Sequence, residues 1–227
     1  MNAIQRLKEE AKKIRIYQTS LTSWTDSAEG FLNGIAARHP DFPIQEYYQE
    51  IERQNGAGQR IRKIAVKHAC VPGKADTREL EDYIGQKLPE DLARFYGNFM
   101  EAALFLRHPI HIYPPSSIVE YERLIRDIER GSDRAPRSSE VKVLRFVHIE
   151  VFAPMFALRK FEDGGWRVIV WGGLETTAEL QDPATERGEF HVETFDEWLV
   201  RLLDTDGFPL SPFDPDFFDS PVAERIG

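Results

Sequence analysis

Histidine is the side chain whose unperturbed titration falls near neutral pH, and the chain carries His39, His68, His108, His111, His148 and His191. His108 and His111 stand three apart, a spacing that joins metal ligands on a helix. The segment Ile110 to Tyr113 reads as a strand instead, where positions three apart face opposite sides. His148 and His191 fall in separate expected strands; beside Glu150 or Glu193 either would form a His–carboxylate pair suited to proton transfer. Cys70 follows His68 by two residues but lies in no recognisable nucleophile signature, and no Gly-x-Ser-x-Gly elbow is present. A single cysteine also excludes an intrachain disulfide and a thiolate metal cluster. The expectation from these residues is no catalytic group, no metal and no cofactor.

Charge points elsewhere. The net charge is −9, and residues 171–227 hold 14 Asp or Glu against 3 Arg. Glu175, Glu179, Asp182, Glu186 and Glu189 are singly ordinary solvated carboxylates and collectively a surface for charge-complementary binding. Trp166 and Trp171 share a strand at odd spacing, so one is expected in the core and the other, Trp171, outside as an interface anchor. Trp171 and the five carboxylates are the expected partner-binding residues. Such a face repels phosphate backbones, which disfavours nucleic acid, and attracts a basic protein.

The elements that must position these residues begin with length and composition. At 227 residues, 41% hydrophobic and 30% charged, the chain fits one large domain or a domain with an extension, and global disorder is excluded. No run approaches the roughly 18 apolar residues of a membrane span, and Met1 to Arg15 lacks the apolar core of a signal peptide. No membrane partner is expected, and the expected compartment is the cytoplasm.

Residues 1–75 read as an N-terminal helical extension. Ile4, Leu7, Ala11 and Ile14 mark a first helix. Ser23 or Asp26 caps a second, with Phe31, Leu32, Ile35 and Ala36 inward, stopping near His39 because Pro40 follows. A third starts near Pro43 with the stripe Ile44, Tyr47, Tyr48 and Ile51, and ends at Asn55-Gly56-Ala57-Gly58. Those glycines lie after a helix and before the strand-like Ile61 to His68, the reverse of a dinucleotide fingerprint, so they read as a stop. Val71 to Ala75 breaks the pattern.

Residues 76–210 then read as an α+β unit. Asp76 or Thr77 caps a helix carrying Leu80, Tyr83 and Ile84, closed by Gly85. Pro89 opens a second helix with the stripe Leu92, Phe95, Tyr96 and Phe99. Ile110 to Tyr113 is a strand, and Ser117 with Glu120 a capping box for the next helix. Arg130 to Glu140 reads as a loop. Three strands follow, Val141 to Ile149, Met155 to Phe161 and Trp166 to Trp171, the last two joined by a Glu162-Asp163-Gly164-Gly165 hairpin, so the sheet is expected to be mixed and mainly antiparallel. Phe190 to Val192 is a further short strand. Thr194 to Glu197 is a capping box opening a helix with Phe195, Trp198, Leu199, Leu202 and Leu203 inward, and Gly207 and Pro209 end that helix. Residues 211–227 are an acidic aromatic tail whose Phe213, Phe217 and Phe218 are expected to dock on the body.

Glu79-Leu80-Glu81, Ile84-Gly85, Leu88-Pro89-Glu90-Asp91-Leu92 and Phe95-Tyr96-Gly97-Asn98, followed in order by the strand and helix of 110–125, paired strands and Thr194-Phe195-Asp196-Glu197-Trp198-Leu199, resemble the SUKH superfamily over about residues 76–205. One departure is Glu150 to Pro154, where relatives carry a glycine-rich turn. The resemblance implies an α+β fold and a protein-binding role: bacterial members are immunity proteins that neutralise toxin domains, and fungal members are cell-wall signalling scaffolds. It makes an immunity protein that occludes a basic cognate toxin the leading expectation. A regulatory scaffold and a small-molecule enzyme using a His–carboxylate pair are the alternatives.

Overall fold

The computed structural model describes residues 2–18, 22–54, 60–107, 109–131, 143–148, 154–161, 163–172, 194–207 and 224–225. The fold is α+β, with two antiparallel sheets and helices packed against them.

Helix α1 (Ala3–Glu10) opens where the Asn2 side chain accepts the Gln5 N–H, and Ile4 and Leu7 are buried. It stops before Ile14, which is 62% exposed, so the stripe expected to reach that residue is cut short. The reason is Arg15: its guanidinium donates to the Glu10 carbonyl at 3.1 Å and the Glu10 carboxylate at 2.6 Å, satisfying the helix end from the first residue of strand β1 (Arg15–Gln18). Helix α2 (Thr22–Arg38) buries Trp24, Ala28, Phe31, Leu32 and Ile35 along one side and ends at the residue before His39.

The expected third helix is absent from its place. Ile44–Glu46 is one 3-10 turn, and Tyr48–Gln54 is strand β2, paired antiparallel with β3 (Arg60–Val66) through seven register pairs. Tyr and Ile at helical spacing are also strand formers, and pairing along β3 decided between the two periods. The part expected to be a helical extension therefore holds two helices and four strands, the fourth being β4 (Ala69–Pro72).

After β4 come α3 (Arg78–Ile84), α4 (Glu90–Tyr96), β5 (Phe99–Phe105), β6 (Pro109–Ile112), α5 (Pro115–Gly131), β7 (Val143–His148), β8 (Pro154–Lys160), β9 (Trp166–Gly172), α6 (Phe195–Asp204) and β10 (Glu224–Arg225). Gly85 closes α3 in the left-handed region at φ 69°. Thr194 and Glu197 close the expected capping box on α6, whose five expected apolar residues are all buried. Two expectations change. Helix α5 begins at Pro115, which puts Ser117 inside its first turn rather than at the cap, and it runs on to Gly131. Phe99, expected on the α4 stripe, begins β5, because α4 stops at Gly97. The strand expected at Phe190 to Val192 lies outside the described residues, as does the tail apart from β10.

The small sheet has the order β10-β1-β3-β2 and the large sheet β4-β5-β6-β7-β8-β9. Strand β5 divides two cores. Ala102 and Leu104 join Leu80, Leu92, Phe95, Trp198 and Leu202 from the helices on one face. Ala103 and Phe105 join Trp24, Phe31 and Ile35 of α2 and Ile64 and Val66 of β3 on the other. The chain before residue 76 thus completes the second core.

Candidate functional site

β5 reads Phe-Met-Glu-Ala-Ala-Leu-Phe, and Glu101 is the sole charge in it. A strand covered on both faces has no solvent to offer a carboxylate, yet Glu101 is fully buried. By alternation Glu101 shares a face with Ala103 and Phe105, toward α2.

Four donors meet it. Oε1 accepts from Arg38 Nε at 2.9 Å and from His39 Nε2 at 2.8 Å; Oε2 accepts from Arg38 Nη2 at 2.6 Å and from His111 Nε2 at 2.7 Å. An ionised carboxylate only accepts, so both imidazoles present Nε2–H. Each donor is placed by its element. Arg38 closes the last turn of α2, where a cation suits the helix dipole, and His39 follows it. His111 sits on β6 opposite Ala103, diagonal to Glu101 across the ladder. The His111 ring lies 5.1 Å from Phe31 and 4.9 Å from Tyr113, which fixes its plane. Side-chain exposure rises from Glu101 and His111 in the interior to 18% at His39 and 35% at Arg38, so the cluster meets solvent at the end of α2.

Burial alone raises the Glu101 pKa; hydrogen bonds from His111 and Arg38, and their charges, outweigh it and bring the carboxyl down to about 2. His111 moves below its ordinary value because burial outweighs its bond to Glu101. The chemical consequence is restrictive. Two oxygens with four lone pairs already accept four bonds, and so weak a base takes no proton efficiently at neutral pH. The cluster is an ionic clamp between α2 and the sheet.

Other buried polar residues are tied into the fold, although His68 Nε2 and Thr25 Oγ1 have no hydrogen-bond partner. Glu122 accepts from the Arg145 backbone N–H at 2.8 Å and Nη1 at 2.6 Å, beside the register shift in β7. His68 Nδ1 accepts the Phe105 N–H at 2.9 Å, and burial holds His68 well below its ordinary pKa. Cys70 is buried, with its thiol pushed up to about 12, which leaves almost no thiolate at neutral pH.

Trp171 lies in β9 opposite Met155, and Trp166 packs against the first core. Glu175, Glu179, Asp182, Glu186 and Glu189 lie outside the described residues, as do His108, Glu150, His191 and Glu193. His148 ends β7 directly opposite His111 in the ladder, so the histidine that the strand pairing brings to it is His111. The residues that sequence reasoning missed are Glu101 and Arg38; the available signal was one acid inside an otherwise apolar run of seven. Among the described residues no group of three His, Cys, Asp or Glu is arranged to hold a metal ion, and no helix is long and apolar enough to cross a membrane. The chain matches no protein-family model and no curated protein.

Proposed function

We propose that the chain is a noncatalytic, cytoplasmic protein-binding protein, and most concretely an immunity protein that blocks the active site of a basic toxin domain. The observation that carries this reading is the position of the motif residues behind the SUKH resemblance. Gly85 is the left-handed cap between two short helices, Pro89 leads the second helix, and Thr194 and Glu197 cap the last helix of the unit. The His–carboxylate cluster supports a noncatalytic role, because its carboxylate has no acceptor capacity left for a substrate. Blocking by steric cover needs no catalytic residue.

Trp171, Glu175, Glu179, Asp182, Glu186 and Glu189 form the proposed contact region, with the carboxylates speeding capture of a cationic partner. Coexpression with the product of the neighbouring gene tests the reading: growth rescue and a copurifying complex support it, and a harmless neighbour with no complex overturns it. Reversing the charges of Glu175, Glu179 and Asp182 together is expected to slow association by about tenfold at low salt and to flatten its salt dependence. An unchanged rate removes the electrostatic part.

A further inference from the structure

Strand β5 outruns its neighbour. β4 starts at Ala69, opposite Ala103, so the ladder stops short of Phe105, the last residue of β5. Lys67, which the register would set opposite Phe105, turns its N–H to the Tyr47 carbonyl at 3.1 Å instead. Side chains take the vacated rung. His68 Nδ1 accepts the Phe105 N–H at 2.9 Å, and the Tyr17 hydroxyl from β1 donates to the Phe105 carbonyl at 3.1 Å. His68 therefore fastens the start of β4 to the end of β5. The strand it fastens is weakly held otherwise: β4 is four residues long, lies at the sheet edge and shifts register between Val71 and Pro72.

The fastening depends on a neutral imidazole. Nδ1 accepts, so the ring proton is on Nε2, which is buried and has no hydrogen-bond partner. A second proton would sit on Nδ1 and point at the Phe105 N–H, donor against donor. The surroundings hold no anion for an imidazolium. Arg15 of β1 is buried and its charge opposes another cation, and Lys67 precedes His68 in the chain. Glu10 of α1 is taken by Arg15 at 2.6 Å and Lys13 at 2.7 Å. Cys70 of β4 keeps its proton, with its thiol pushed up to about 12, and Leu104 and Phe105 of β5 are apolar. Burial and Arg15 thus keep the fastened ring neutral, and an added proton favours a form in which the ring reaches water.

We propose that His68 is an acid-operated latch: on protonation its ring leaves Phe105, β4 parts from β5 from its first residue, and Cys70, two residues on, is uncovered. The opening is local, because Arg38 at 2.6 Å still ties α2 to Glu101 of β5. The latch is independent of the partner proposed above.

Cys70 is the one thiol of the chain and reports the opening. Its labelling by 4,4′-dithiodipyridine, which reacts with thiols in acid, is followed in the full chain from pH 7 to 5, relative to a cysteine peptide at the same pH. The relative rate is expected to rise about tenfold per pH unit below about 6.5, with the far-ultraviolet circular dichroism unchanged. His68→Asn carries a side-chain oxygen that accepts in the place of Nδ1 and does not titrate, and is expected to label at one low rate throughout. A rate that rises equally in both proteins, as titration of His111 would give, overturns the proposal, and so does a level rate in the unaltered chain. The Phe105 amide of the unaltered chain is expected to lose hydrogen-exchange protection over the same pH range. A Phe105 amide still protected at pH 5 while Cys70 labels overturns the latch, whether or not His68→Asn folds.

Discussion

Glu101 is held by three side chains that would each lose their charge partner if it were neutralised. Glu101→Gln keeps the shape and removes the charge, leaving buried His111 and the partly exposed Arg38 facing an amide. The expected cost is about 2 kcal/mol, less than for a fully buried pair because solvent reaches Arg38, and is read as a lower urea midpoint. The pH dependence comes from the directions of the shifts. His68 and His111 lie below 6.5 in the folded chain, so the unfolded chain binds more protons once the pH drops under that value. Glu101 at about 2 adds a second loss between about pH 4.5 and 2. Stability is expected to be level between about pH 7 and 8, to decline below that range, and to fall more shallowly beneath pH 4.5 in Glu101→Gln. Urea titrations of both proteins at pH 8, 6, 4 and 3 check the slopes. None of this cluster was legible from histidine spacing, since Arg38, His39, Glu101 and His111 sit on three separate elements. A lone acid in an apolar run was the one local sign.

Elements with strong boundary chemistry were the readable ones. Thr194 accepts the Glu197 N–H while Glu197 accepts the Thr194 N–H, and both residues are visible in the sequence as a capping box. Thr194→Ala is expected to destabilise the chain by about 1 kcal/mol, with a matching fall in thermal midpoint by circular dichroism. The cost reaches the core, because α6 carries Trp198, which lies 5.1 Å from both Phe146 and Phe156. β2 was unreadable for the opposite reason. Ile44, Tyr47, Tyr48 and Ile51 satisfy a helical period, and only the ladder with β3 chooses the strand. β5 failed likewise: a strand buried on both faces loses the alternation that announces one.

At the scale of the whole molecule, both cores join the chain before residue 76 to the α+β unit after it. Trp24 donates its indole N–H to the Arg107 carbonyl at 3.1 Å, and Tyr17 donates its hydroxyl to the Phe105 carbonyl at 3.1 Å. Deleting residues 1–75 would uncover Ala103 and Phe105, remove β4 from the sheet edge and take Arg38 and His39 from Glu101. The remaining fragment is expected to lose cooperative unfolding and to bind a hydrophobic dye, while the full chain does neither. A fragment that melts cooperatively would show that the first core alone supports the fold.

By itself the sequence determined the α+β class, the closing helix with its cap, the α3–α4 pair and the three-strand run from β7 to β9, because each is written in short-range signals of period, cap and turn. It also determined a net charge of −9 and the concentration of acids after residue 171. Only the tertiary structure decided that residues 48–54 form a strand rather than a helix, that β5 separates two cores, and that a buried carboxylate ties α2 to the sheet. Those features depend on contacts between residues far apart in the chain, 63 positions in the Arg38–Glu101 pair, and the free energy of such contacts overrides local propensity without leaving a local mark.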